Sequence, residues 1–217
     1  MNIIVRQERL DDAKRTRLME AAIEEFSERG FEAASYNKII ERSGLSKGTV
    51  YYYFDNKDSL LSTVLDELCE RFLNALGELK LPETKEDYWA VSWEYHRRTV
   101  RFLFENPTLS HLMFRLFQDN PNIDERFMSA HNRTTCFMDS LVVRGQEIGA
   151  IRSDLPVATI QKLMHATGKV LGTDLLGEFD LEKLKNDKNA QKQIRKFKFM
   201  MHDLTKRILS PEEVQDV

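Results

Sequence analysis

Apolar residues recur three and four positions apart along most of the chain, and strict alternation of apolar and polar residues is rare. Leu18, Ala22 and Phe26 follow at i+4 with Met19 and Ile23 on the same face, which predicts a first helix over 10–29. Gly30 stops it in the position of a C′ glycine. Two short helices follow, over 36–43 with Ser35 as N-cap and over 47–54 with Ser46 as N-cap, separated by Gly44. A long helix from Lys57 to about Lys80 carries Leu61, Val64, Leu65, Leu68, Phe72, Leu76 and Leu79 on its apolar face.

Pro82 marks a break. Further helices are expected over 85–105, 109–118, 124–148, 157–176 and 190–209, with Asn106-Pro107, DNPNID, Gly149 and RSDLP as punctuation. The last helix keeps Ile194, Phe197, Met201, Leu204 and Ile208 in helical register. The fold class is all-α, with about nine helices. Residues 9–72 form a three-helix headpiece followed by the long helix, and 73–217 form a larger helical domain that holds both Trp and most of the Phe and Met.

The stretch TVYYYF sharpens the picture. No regular element points four successive side chains the same way. Helical phase puts Val50, Tyr53 and Phe54 on one face, as core, and Tyr51 and Tyr52 on the other. Residues 36–54 read as a helix, a tight turn and a second short helix, the arrangement of a helix-turn-helix. Ile39, Ile40, Leu45 and Val50 sit where the pair must pack. The second helix would enter the major groove N-terminus first with Lys47, Gly48 and Thr49. Lys47 reaches a base edge or a phosphate, Gly48 allows close approach, and Thr49 offers a hydroxyl and a methyl. Exposed phenols of Tyr51 and Tyr52 can donate to phosphate, and Lys57 adds a charge at a helix N-terminus.

GFEAASYNKIIERSGLSKGTVYYYFDNKDSLL resembles the N-terminal domain of the TetR (tetracycline-repressor-like) transcription regulators. The matching positions are Phe26, Gly30, Phe31, Ile39, Gly44, Ser46, Gly48, Thr49, Tyr51, Tyr53, Phe54, Lys57 and Leu60. The likeness covers about the first quarter of the chain. Beyond it, only the helical architecture and GAIRSDLP resemble the family. Ile40 and Ser43 depart from the family pattern, which has Ala at both places. The resemblance implies DNA contacts from Tyr36, Lys47, Gly48, Thr49, Tyr51, Tyr52 and Lys57. It also implies a homodimer built on the last two helices, and a repressor released from operator DNA by a small-molecule ligand.

Composition sets limits on this. Of 217 residues, 31% are charged and 41% hydrophobic, the balance of an ordinary globular protein. The net charge of −3 excludes a bulk polycation, so DNA binding must come from a local patch. Residues 35–57 hold four Lys or Arg against two acids, and Lys14, Arg15 and Arg17 add a basic cluster. That patch is modest, so two headpieces side by side are expected to bind adjacent half-sites. Two cysteines, no signal-peptide core and no membrane-length apolar run give the expectation of a cytoplasmic protein without a disulfide framework.

In the larger domain Trp89, Trp93, His96, Phe114, Phe117, Phe137 and Met138 are candidates to line an effector pocket between helices. The bland alternative for each is ordinary core. His111, His131 and His165 are further candidates for setting ligand polarity. Gly168 and Gly172, one turn apart, would let a partner helix approach, and Phe197 and Met201 join them as candidate dimer contacts. The stretch 183–207 has nine Lys or Arg against two Asp, which reads as a solvated helix face or a second nucleic-acid surface. No HxxxH, HExxH, CxxC, GxSxG or phosphate-binding glycine loop occurs, so no metal, cofactor or catalytic site is expected. The rival readings are a regulator governed by a protein partner and an all-α enzyme.

Overall fold

The computed structural model describes residues 11–119, 136–178 and 188–211. Among the described residues it is all helical. The helices are α1 (Asp12–Ala33), α2 (Tyr36–Ser43), α3 (Lys47–Tyr53), α4 (Lys57–Leu76), α5 (Lys85–Glu105), α6 (Pro107–Asp119), α7 (136–147), α8 (Val157–Glu178) and α9 (Lys188–Leu209). The expected helix over 124–148 is seen from residue 136, and its earlier part lies outside the described residues.

The chain divides into two compact units. One takes the residues up to Glu70 with the stretch from Thr108, and the other takes 71–107 with the chain from His131 onward. In the first unit α1 packs on α2, around a core that includes Leu18, Phe26, Ile39, Val50, Phe54 and Leu65. Asp11 caps α1 by accepting from the backbone of Ala13. Gly30 interrupts α1 at φ 71°, ψ 172°, a conformation that suits glycine, and the chain then turns so that the Phe31 ring meets Phe26 at 6.0 Å. The two departures from the family pattern are both internal. Ile40 is buried, and the Ser43 hydroxyl donates to the Ile40 carbonyl (2.7 Å) while accepting from the Leu45 amide (3.2 Å). Ser43 therefore satisfies two backbone groups of the turn that an alanine would leave to other partners. From α6, Arg115 donates to the Ser27 and Glu28 carbonyls near the end of α1.

In the second unit α5 and α7 meet through Tyr88 and Gly145. A Cβ built on Gly145 would stand 2.5 Å from Tyr88 Cε2, so only glycine fits. Tyr88 is buried with Leu141, Ile151, Ile160, Met164 and Leu209. GAIRSDLP closes this core. Ala150 and Ile151 amides bond the Gly145 carbonyl, and the Arg152 amide bonds Leu209 at the end of α9 (2.8 Å). The α4 helix ends at Leu76 rather than near Lys80, because Gly77 adopts φ 60° and Arg98 takes the Leu76 carbonyl.

Candidate nucleic-acid interface

The helix-turn-helix is held by local chemistry. Ser35 starts α2, and its hydroxyl accepts from the Lys38 amide (3.4 Å). Gly44 ends α2 at φ 65°, ψ 16°, the left-handed geometry that a side chain would resist. Ser46 starts α3, accepting from the Thr49 amide (3.1 Å), and its hydroxyl also pairs with Thr49 Oγ1 (2.8 Å).

This places the α3 side chains in two groups. Val50 and Phe54 are buried, while Tyr51 and Tyr52 are 47% and 46% exposed. Tyr53 is half-buried, with its ring edge-on to Tyr52 at 4.9 Å. Lys47 and Gly48 are exposed at the start of the helix. A Cβ on Gly48 would meet no described residue within 4 Å, so no described neighbour requires glycine there. A helical glycine costs about 1 kcal/mol relative to alanine. The room it leaves opens outward, on the face that carries Lys47 and Tyr51.

Two residues expected at the DNA face have other engagements. The Tyr36 hydroxyl donates to the Phe54 carbonyl (2.7 Å) and its ring packs edge-on to Tyr51 at 5.3 Å, so it ties the start of α2 to the end of α3. Burial, helped by Asp55, pushes its phenol pKa well above the usual value. Lys57 donates to the Phe31, Glu32 and Ala34 carbonyls and lies over the Phe31 ring at 4.5 Å. An ammonium has three donors, and these carbonyls take all three. In this structure Lys57 caps the end of α1, and its charge sits on peptide oxygens rather than in open solvent.

Counting charges along the sequence also overstates the patch. Arg42 faces three α1 carboxylates, at 2.9 Å from Glu28, 3.6 Å from Glu25 and 4.0 Å from Glu24. The Glu28 bond raises the Arg42 pKa and lowers that of Glu28. Glu25 is buried, and its other oxygen accepts from the Ser35 amide (3.1 Å). One carboxylate therefore touches both ends of α2. Sequence reasoning missed it, because a Glu between Glu24 and Phe26 reads as one more solvated position. Lys38 and Lys47 of α2 and α3 are exposed, and Arg42 is exposed beside its carboxylates. Lys14 is 4.0 Å from Asp11 and Arg15 is 3.9 Å from the largely covered Glu67, both long and weak pairs.

The candidate effector residues lie in the second unit, except that Phe114 and Phe117 sit on α6 and their side chains are outside the described set. Trp89 and Trp93 of α5 stand edge-on to His202 of α9 at 6.0 and 5.1 Å, and His96 lies 6.1 Å from it. His202 had no place among the expected site residues. Phe137 stacks on Tyr95 at 5.7 Å, and Met138 packs against the Tyr88 core. His165 is 3.7 Å from Asp139, His111 is half-buried on α6, and His131 lies outside the described residues. Among the described residues no cluster of three or more His, Cys, Asp or Glu could hold a metal, and no helix is long and apolar enough to cross a membrane.

The expected dimer residues divide too. The phase of α9 turns Phe197 and Met201 inward onto Val100 of α5. On the outer side of α9 stand Phe199 and Met200, and on α8 Leu163 and Val170 are exposed. No described residue lies within 4 Å of a Cβ built on Gly168, and Gly172 lies on α8 with its surroundings outside the described set.

The pattern of the bacterial regulatory proteins of the tetR family matches residues 18–64. The HTH-type transcriptional regulator YvdT of Bacillus subtilis (strain 168) is 34% identical over 79 residues, 36% of this chain and 39% of that protein, so the match spans well under half of that relative. The fatty acid metabolism regulator protein of the same organism is 23% identical over 155 residues, 71% of this chain and 79% of its own length. The crystal structure of the transcriptional regulator FadR from Bacillus subtilis in complex with stearoyl-CoA superposes with a TM-score of 0.64 at 22% identity, covering 83% of this chain and 97% of that one. At that identity the likeness establishes the fold.

Proposed function

From the premise that this chain is a tetR-family transcriptional regulator with its DNA-binding domain in the headpiece, we propose that it is a homodimeric repressor released from its operator by a small-molecule effector. The observation that carries the DNA reading is α3, where Gly48 leaves outward room beside Lys47 and the exposed Tyr51 and Tyr52. Lys47, Gly48, Thr49, Tyr51 and Tyr52 form the reading face. Tyr36 and Lys57 hold that face in position through the Phe54 and Phe31 carbonyls. One such helix spans a few base pairs, so a second copy supplies the other half-site. Gly168, Leu163 and Val170 of α8 with Phe199 and Met200 of α9 are the surface on which two copies join.

The effector binds in the second unit, at the expected Trp89, Trp93 and His96. The related FadR was crystallised with stearoyl-CoA, which makes a fatty-acyl-CoA the first effector to try. The ligand acts through its different affinity for the operator-binding and released states, altering the spacing of the two α3 helices. Catalysis has no part in this reading. The test is selection of a palindromic site from random DNA, followed by gel shift of wild type, Tyr51→Ala and Lys47→Ala. Loss of binding by both variants with the dimer intact supports the assignment, and unchanged binding by both overturns it.

A further inference from the structure

Glu25 stands on the core side of α1 and is only 1% exposed. A buried carboxylate is costly unless hydrogen bonds and a countercharge satisfy it, and an apolar side chain of similar size would fill the space without that cost. Its two oxygens are satisfied unequally. Oε1 accepts from the Ser35 amide (3.1 Å). Oε2 receives no hydrogen bond from a described residue and faces the Arg42 guanidinium at 3.6 Å. One amide and one cation therefore hold the carboxylate, and they mark the two ends of α2. Ser35 is its N-cap, and Arg42 lies in its last turn.

The local sequence explains why the Ser35 amide turns to another helix. In a capping box the N-cap hydroxyl accepts from the N3 amide, and a Glu or Gln at N3 accepts from the N-cap amide in return. The first half is present, since Ser35 Oγ accepts from the Lys38 amide (3.4 Å). Position N3 is Lys38 itself, and an ammonium has no lone pair with which to accept. Glu25 supplies the missing acceptor from α1. The box closes only when α2 is docked on α1, so the cap of α2 is also its joint. At the far end Glu28, 2.9 Å from Arg42, anchors α2 to the same helix.

The joint bears directly on α3. Tyr36 follows Ser35, its hydroxyl donates to the Phe54 carbonyl (2.7 Å), and its ring meets that of Tyr51 at 5.3 Å. At the other end of α2 the Ser43 hydroxyl bridges the Ile40 carbonyl and the Leu45 amide across the turn. A slide of α2 along α1 is therefore carried into α3 at both of its ends.

Resting on the reading of α3 as the helix that enters the groove, we propose that Glu25 is a positioning residue for operator recognition. It closes the cap of α2 from α1 and so sets where α3 lies. It acts through Ser35 and Tyr36 and makes no DNA contact of its own.

The test compares full-length wild type with Glu25→Leu, Glu25→Gln, Lys38→Gln and the double variant Glu25→Leu with Lys38→Gln. Gel shifts are run on the selected operator and on a random duplex of equal length, at a temperature where thermal unfolding shows every variant folded. Glu25→Leu should weaken operator binding by about tenfold or more, the scale of one lost base contact. It should weaken random-duplex binding by less than about twofold and leave the salt slope unchanged, because the exposed Lys38 and Lys47 are untouched. Glu25→Gln keeps an acceptor for the Ser35 amide and should recover most of the loss. Adding Lys38→Gln to Glu25→Leu restores a capping box within α2. That should raise the melting temperature of Glu25→Leu without restoring operator binding, since a local cap does not tie α2 to α1. Lys38→Gln alone measures what loss of that cation does to binding.

Wild-type operator affinity in Glu25→Leu overturns the proposal. So does a parallel loss on both DNAs, or full recovery of operator binding by the local cap, since either makes Glu25 a structural group only. Glu25→Gln binding as poorly as Glu25→Leu removes the Ser35 amide as the joint and overturns it too. Lys47→Ala and Tyr51→Ala on the same gels keep the two levels apart. Unchanged binding in both of these sinks the reading face, whereas unchanged binding in Glu25→Leu alone sinks only its positioning role.

Discussion

The ammonium of Lys57 lies 4.5 Å above the Phe31 ring and donates to the carbonyl oxygen of the same residue. This pairing draws the start of α4 onto the broken end of α1, where Gly30 has released the backbone carbonyls. Lys57→Met should lower headpiece stability by about 1–3 kcal/mol, since it removes a cation that satisfies part-buried carbonyls. It should leave the salt slope of operator binding unchanged. A fall of about one unit in that slope would mean instead that Lys57 neutralises a phosphate.

Gly48→Ala separates stability from binding. The added methyl meets no described residue within 4 Å and improves helix propensity, so unfolding should require about 0.5–1 kcal/mol more. Operator affinity should drop by about tenfold or more, because the methyl occupies the space left for DNA. Equal affinity in wild type and variant would remove position 48 from the interface.

The run of aromatics yields a paired prediction. Tyr51→Ala should cost about tenfold in operator affinity with a melting temperature close to wild type, as its ring is half in solvent. Phe54→Ala should cost about 3–5 kcal/mol of stability, as a fully buried ring. Matching denaturation curves for the two variants would refute the division of α3 into an outer and an inner face.

Stability of the second unit should depend on acid pH through His96. Its pKa falls from 6.5 to about 4 on folding, mainly because of burial. Between those values the unfolded chain binds a proton that the folded one refuses, so stability declines as pH drops from 6.5 and the loss is complete below 4. The full effect is ~3 kcal/mol. His202 shifts in the same direction. Denaturant melts from pH 7 to 4 should show this decline, and His96→Phe should shrink it.

Gly145→Ala should destabilise the second unit by about 1–3 kcal/mol, because a methyl 2.5 Å from the Tyr88 ring forces α5 and α7 apart. Gly149, at φ 66° in the following turn, should be equally intolerant for a backbone reason. Far-UV and near-UV melts of the two variants would test each.

Much of this architecture was legible in the chain. The spacing of Leu18, Ala22 and Phe26 and the glycines at 30 and 44 carry the headpiece, because local propensity and capping decide short helices. The bounds of α5 are those that Lys85, Asn106 and Pro107 suggest. What sequence could not show is how polar side chains choose among partners. Lys57 and Arg42 look like free cations in a charge count, and only the packed structure puts one on carbonyls and the other on Glu25 and Glu28. His202 escaped for a related reason. Its neighbours Trp89 and His96 are more than 100 positions away in the chain, and long-range pairing leaves no periodic signature. The inward turn of Phe197 and Met201 follows from the exact phase of α9 against α5, which a generic amphipathic pattern leaves open.

The contrasting surroundings of the tyrosines also give the protein a chemical label of its own. Tyrosine nitration and iodination proceed through the phenolate and need access to the ring. Burial raises the pKa of Tyr36 and Tyr88 strongly and pushes Tyr95 up to about 12, so these rings stay unreactive in mild base. Tyr51 and Tyr52 stand in solvent. A reagent that modifies them first marks the reading face without any mutation, and protection of that mark by DNA turns ordinary mass spectrometry into a footprint of the operator complex.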